Sequence, residues 1–294
     1  QRVCVGVQEA LQASQDIENY AFPPPNIQMR YPHWVQYIRS QLEAKYDAQT
    51  IYRSGFTVYT TLDPALQDTA QQLVTSQVSA LFAEGKNVKN GALVAIQPQT
   101  GQILVMVGSP DFYNEDIDGQ VNMATSPTRQ PGSSIKPLTY VAAFEKGWTA
   151  STLIWDVPTG FPPSGDPNDP REPYIPRNYD GRFRGPVTVR SALANSYNIP
   201  AVKTLYEVGI YDDPNTPAKE GLIGMAEKLG ITSFTRNDYG LALTLGGGEV
   251  SLLEMNGAFS VFANNGVRVP PVAILKVVDS TGKVVEEYNP PPGE

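Results

Sequence analysis

A mixed α+β fold, an antiparallel sheet with helices on its faces, is predicted by three features of the sequence. Residues 93–96 and 103–107 are short aliphatic runs on either side of Pro98-Gln99-Thr100-Gly101, which reads as an antiparallel hairpin with a glycine where positive φ is needed. Residues 55–61, GFTVYTT, carry the β-branched and aromatic pattern of a strand. Asp63 and Pro64 then supply an N-cap and a first-turn proline for LQDTAQQLVTSQVSALF, which has helical period. The third feature is LTYVAAFEK at 138–146, a helix-compatible run entered from the Pro131-Gly132 turn.

Upstream, residues 1–22 form an amphipathic stretch that Pro23-Pro24-Pro25 should end, because proline donates no backbone hydrogen bond and disfavours helix in the residue before it. Residues 156–186 are dense in proline, glycine and aspartate, the composition of a long irregular loop; it could wall a cleft or be a surface insertion. Gly246-Gly247-Gly248 lacks the Lys-Ser/Thr of a phosphate cradle and reads as tight packing near a helix start. Ser280-Thr281-Gly282-Lys283 lies between two alternating apolar stretches and reads as a hairpin turn.

Composition bounds the function. The chain has 294 residues, 41% of them hydrophobic, enough for one large or two smaller cores. A net charge of −8 speaks against nucleic acid as a partner, since a basic surface is needed to displace counterions from phosphates. One cysteine, Cys4, excludes an internal disulfide framework and a cysteine-rich metal site. One histidine, His33, removes serine–histidine and multi-histidine zinc chemistry, and its place in YPHWVQYI reads as structural or surface. No metal or other cofactor is expected. No apolar run approaches the ~20 residues of a membrane span.

Serine chemistry in this chain must therefore use lysine. Ser133-Ser134-Ile135-Lys136 follows Gly132 and precedes Pro137, which places Ser133 and Lys136 on one face at a helix start. A serine hydroxyl is a weak nucleophile until a base takes its proton, and a lysine can do so when desolvation lowers its pKa. Farther on, Ser196-Tyr197-Asn198 brings a second hydroxyl and a carboxamide into a turn between apolar stretches. Taken alone, a Ser-x-x-Lys spacing is a weak signal and Ser196-Tyr197-Asn198 reads as a capping or turn segment.

Together with their flanks, the two segments resemble the transpeptidase domain of class A penicillin-binding proteins. GFTVYTTLDPALQ at 55–67, GALVAIQPQTGQILVMVGS at 91–109, RQPGSSIKPLTY at 129–140, NYDGRFRGPVTVRSALANSYNIPAV at 178–202 and LTLGGGEVSLLEMNGAFSVFANNGV at 243–267 carry the resemblance, in the family's order. It implies a serine β-lactamase-like fold and a D,D-transpeptidase that cross-links D-Ala-D-Ala stem peptides of peptidoglycan and is acylated by β-lactams. It further implies Ser133 as nucleophile, Lys136 as its base, Ser196 as proton relay to the leaving amine and Asn198 as a donor to substrate or a support for Lys136. Residues 1–50 would be the end of a glycosyltransferase region and a linker, and 51–294 the transpeptidase portion, on the outer face of a bacterial cell membrane with the anchor upstream. The family's third motif, Lys-Thr-Gly, occurs nowhere in the sequence. The expectation is that the C-terminal strands are absent from this chain, that a further segment of the same polypeptide bearing Lys-Thr-Gly completes the site, and that the chain is inactive alone. Two rivals stand: a β-lactamase that hydrolyses its acyl-enzyme, and a non-enzymatic binding scaffold.

Overall fold

The computed structural model describes residues 6–19, 29–213 and 220–290. Cys4 and Pro23-Pro24-Pro25 lie outside them. The chain opens with helix α1 (Val7–Asn19), on which Val7, Leu11 and Ile17 are exposed. Helix α2 (Pro32–Lys45) starts on Pro32 and turns His33, Trp34, Ile38 and Leu42 inward. Helix α3 (Ala48–Ser54) follows, capped by Asp47. His33 is structural: its ring is buried, Nε2 lies 2.9 Å from the Gly119 carbonyl, and the Phe112 ring meets it edge-on at 5.0 Å. Burial lowers its pKa, so the neutral ring donates to that carbonyl.

The expected strand and helix form as β1 (Thr57–Thr60) and α4 (Pro64–Ala83), with the Asp63 carboxylate accepting from the Ala65 and Leu66 N–H groups. The hairpin forms as β2 (Leu93–Ile96) and β3 (Ile103–Val107), antiparallel, closed by Gly101 at φ +71°. A side chain at Gly101 would run into the Pro270 carbonyl, so this turn needs glycine for space as well as for φ. Both faces of the hairpin are buried: Val105 and Val107 pack with Ala70 and Val74 of α4, while Val94 and Met106, together with Ile103 at the register shift, pack with Trp34, Ile38 and Leu42 of α2.

One continuous sheet is not what the described residues form. They make three small antiparallel sheets, β1 with β6 (Ile274–Val278) and β7 (Val284–Glu287), β2 with β3, and β4 (Leu153–Asp156) with β5 (Gly185–Thr188). The outer edge of β3 is satisfied by isolated contacts instead of a strand. Ile103 N–H donates to the Val272 carbonyl, the Leu104 carbonyl accepts from Asp63 N–H, and the buried Gln67 amide binds both the N–H and the carbonyl of Met106. Ser280–Lys283 is the β6–β7 turn, with Asp279 accepting from the Thr281 and Lys283 N–H groups.

The larger core lies around helix α5 (Lys136–Glu145), packed on α7 (Asn198–Val208) and α8 (Leu222–Lys228) and continued by α9 (Leu252–Ala263). A short helix, α6 (Val189–Ala194), links β5 to α7. Ile135, Leu138, Val202, Leu205, Leu222, Leu241 and Leu243 are fully enclosed there, which fixes the start of α5 relative to α7. α9 begins with a reciprocal capping box between Ser251 and Glu254.

Candidate active site

The segment QPGSSIKP folds as the sequence suggests, with one refinement. Gly132–Ile135 form a 3₁₀ turn and α5 begins at Lys136, whose N–H donates to the Ser133 carbonyl. Because residues three apart eclipse in a 3₁₀ turn, Ser133 and Lys136 share a face. The neighbouring hydroxyls differ: Ser134 Oγ donates to the Pro131 carbonyl at 2.7 Å, whereas Ser133 is exposed and its hydroxyl makes no hydrogen bond among the described residues. Gly246 explains why this turn is so closely backed. It has φ +92°, and any side chain there would overlap the backbone of Gly132. The expectation that the glycine triplet serves packing is met at the serine turn itself.

Lys136 is completely buried, and Nζ donates to the Ser196 carbonyl at 2.6 Å, the Asn198 Oδ1 at 2.7 Å and the Ser196 Oγ at 3.0 Å. Desolvation lowers its pKa to about 8. All three partners are uncharged, so no carboxylate offsets that burial. A neutral amine keeps only two N–H donors. On deprotonation one of the three contacts must be released or reversed, and the Ser196 hydroxyl is the partner able to become a donor.

The geometry of Ser196 follows from how α6 ends. Ser196 N–H donates to the Leu193 carbonyl and Tyr197 N–H to the Ala192 carbonyl, the bonding of a helix end whose left-handed residue is normally glycine. Ser196 occupies that position at φ 53°. A non-glycine residue there costs about 1 kcal/mol, and the conformation turns both its carbonyl and its hydroxyl to Lys136. Ser196→Gly should therefore raise stability by ~1 kcal/mol, a gain that thermal melts of the variant and the parent would measure.

The 157–184 excursion between β4 and β5 touches the Ser196-Tyr197-Asn198 segment. Asn198 Nδ2 donates to the Arg177 carbonyl at 2.8 Å, and the Arg184 guanidinium lies 4.3 Å over the Tyr197 ring. Sequence reasoning missed Asn178 and Asp156. Asn178 Oδ1 accepts from Asn198 N–H at 2.8 Å, and its Nδ2 reaches both carboxylate oxygens of Asp156. An asparagine in NYDG reads as a turn residue; only the fold brings it to α7. Thr139 and Thr244, whose hydroxyls meet at 2.7 Å next to the serine turn, were likewise unreadable. Among the described residues no group of three or more histidine, cysteine, aspartate or glutamate side chains could hold a metal ion.

The sequence profile of the penicillin binding protein transpeptidase domain matches residues 91–293. Curated relatives include Penicillin-binding protein 1A of Neisseria lactamica, 37% identical over 68% of this chain and 23% of its own length. Penicillin-binding protein 2D of Bacillus subtilis is 34% identical over 93% of this chain and 37% of its own length. The crystal structure of Penicillin-Binding Protein 1A from Haemophilus influenzae covers 98% of this chain, and 54% of that one, at TM-score 0.70 and 21% identity. The PonA1 protein of Mycobacterium tuberculosis in complex with penicillin V covers 88% of this chain and 65% of that one at TM-score 0.66, with 21% identity.

This chain belongs to the penicillin-binding protein transpeptidase domain family, and its fold is that family's α+β fold. It spans 23% and 37% of the length of those two curated relatives. Among the described residues no helix is long and apolar enough to cross a membrane.

Proposed function

We propose that this chain carries the serine and lysine part of a D,D-transpeptidase site. The observation that supports it most is a buried Lys136 whose amine is held by Ser196 and Asn198, on the same turn as the unengaged Ser133 hydroxyl. Ser133 Oγ attacks the carbonyl of the terminal D-Ala-D-Ala peptide bond, and neutral Lys136 takes its proton as the C–O bond forms. Ser133 N–H, in the first turn where no intrahelical acceptor exists, is one donor to the oxyanion. The intermediate collapses with C–N cleavage, and the proton passes from Lys136 through Ser196 to the departing D-alanine nitrogen. An amine of a second stem peptide then attacks the acyl-enzyme and gives its proton to Lys136; as the ester C–O bond breaks, Lys136 returns that proton to Ser133 Oγ, which regenerates the hydroxyl and the neutral amine. A β-lactam follows the first half only, because its leaving nitrogen stays tethered to the acyl group.

Two needs of this reaction, a cation for the substrate carboxylate and a second oxyanion donor, fall to the Lys-Thr-Gly motif that the sequence does not contain. We assign them to a further strand of the same polypeptide, docked at the outer edge of β2. There the Val94 carbonyl is met by the Asn256 side-chain amide, not by a strand. Residues 1–50 are assigned to the end of a glycosyltransferase region with its linker and 51–294 to the transpeptidase portion, working at the outer face of the bacterial cell membrane. A β-lactamase that positions its deacylating water on a glutamate would need a carboxylate at this site, and the three hydrogen-bond partners of Lys136 include none.

The test is release of D-alanine from a peptide ending in D-Ala-D-Ala, with an amine acceptor present. The full polypeptide should release D-alanine and form the cross-linked amide, and the 294-residue chain alone should not. Release with water as the only acceptor would make the protein a hydrolase; no release by the full polypeptide would overturn the proposal.

A further inference from the structure

Helix α7 begins without a cap of its own. Its N-cap residue, Tyr197, makes no side-chain capping bond, yet the first residue of the helix is Asn198, whose Oδ1 must stay on Lys136. The missing cap comes from the 157–184 excursion. Asn178 Oδ1 accepts from Asn198 N–H at 2.8 Å and from Ile199 N–H at 3.4 Å. The other end of the same amide is fully used: Nδ2 donates to the Asp156 carboxylate at 2.8 and 3.0 Å and to the Arg182 carbonyl at 2.8 Å.

Asp156 is completely buried and Asn178 nearly so. Arg184 N–H completes the bonds to the carboxylate at 3.1 Å, and the Arg184 guanidinium and Lys203 of α7 are cations close enough to feel its charge. The carboxylate does one thing no neutral group would do as firmly. It forbids the flipped amide, in which the Asn178 oxygen would face two negatively charged oxygens, and so keeps that oxygen on the N–H groups of α7.

We propose that Asn178, locked by buried Asp156, is a positioning residue that sets Asn198, and through it the Lys136 amine, for acylation. Its effect travels by one route, from Asp156 to Asn178 to the first turn of α7 to Asn198 Oδ1. The inference rests on the transpeptidase reading above. Asparagine at 178 is required for its two-ended polarity, an acceptor toward α7 and a donor toward Asp156. Aspartate would keep the acceptor but set a carboxylate against both the Asp156 carboxylate and the Arg182 carbonyl; asparagine at position 156 reverses the first of these contacts, the one between two charges.

The experiment measures second-order acylation of the full polypeptide by a fluorescent penicillin, with thermal melts on each variant. Asn178→Ala should slow acylation by about 10- to 100-fold, the loss expected when a reacting group is displaced by about 1 Å. In an Asn198→Ala background the same substitution should change the rate by less than about threefold, because the route is already cut. Asn178→Asp should be as slow as Asn178→Ala, and Asn178→Asp with Asp156→Asn should recover at least about tenfold. An equal loss from Asn178→Ala in both backgrounds, or a wild-type rate for that variant, would overturn the inference. If the alanine variant fails to fold, the paired exchange decides: failure of Asp156→Asn to rescue Asn178→Asp also overturns it. A parent protein that is not labelled at all would instead remove the transpeptidase reading.

Discussion

Lys136→Met is expected to slow β-lactam acylation of the full polypeptide by about 10²–10⁴-fold, the range a general base contributes. Methionine matches the lysine stem and fits a fully buried position, whereas arginine would bring a larger group that cannot lose its proton. The variant leaves the Ser196 carbonyl and Asn198 Oδ1 without their donor, so some stability is lost, but it also removes a buried cation. The pH profile carries the same information. With the Lys136 pKa at about 8, the parent's acylation rate should climb about tenfold per pH unit below that value and level off above it. The methionine variant should lack this limb. Stability has its own sign: the folded amine binds its proton less tightly than the unfolded one, so the penalty of burying the cation is full below about pH 8 and fades as pH rises toward the ordinary lysine range. Denaturant titrations across that window should show the parent gaining stability with pH relative to the variant.

Gly246→Ala should have the second large effect. The residue sits at φ +92° against the Gly132 backbone, so a methyl group has to push the serine turn away. Overpacking and left-handed strain together should cost about 2–4 kcal/mol. Displacing Ser133 relative to Lys136 should slow acylation by about 10²-fold. Gly266→Ala is the control. That glycine has φ +85° with open space around it, so it should cost ~1 kcal/mol of strain and leave acylation unchanged. Equal losses in the two variants, in a labelling assay and a melt, would show that backbone strain alone matters and that contact with the serine turn does not.

These effects mark where the sequence was legible. Local chemistry was: Asp63-Pro64 announced the start of α4, the four residues around Gly101 announced the β2–β3 turn, and Gly132 before the serine announced the turn into α5. Each depends on a residue's own backbone preferences. What could not be read depends on partners far along the chain. The Gln67 amide occupies the edge of β3 like a strand residue, and nothing in LDPALQ distinguishes it from a surface glutamine. The division into three small sheets has the same origin, since Val272 and Asp63 bond to β3 singly instead of in a ladder. In the candidate site the spacing of Ser133 and Lys136 was visible, and the strained backbone of Ser196 was not, because serine has no preference for positive φ. Asn178 and Asp156 were invisible for a third reason: their value lies in a buried hydrogen-bond chain that only the closed β4–β5 excursion creates.

On the proposed reading Ser133, and not its neighbour Ser134 or the nearby Ser196, is the nucleophile served by Lys136. Treating the full polypeptide with a β-lactam, digesting it, and locating the added mass by fragment sequencing tests this directly. A single ester on Ser133 is expected, lost in Ser133→Ala and formed only slowly in Lys136→Met. An adduct on Ser134 or Ser196, or undiminished labelling of Ser133→Ala, would contradict it.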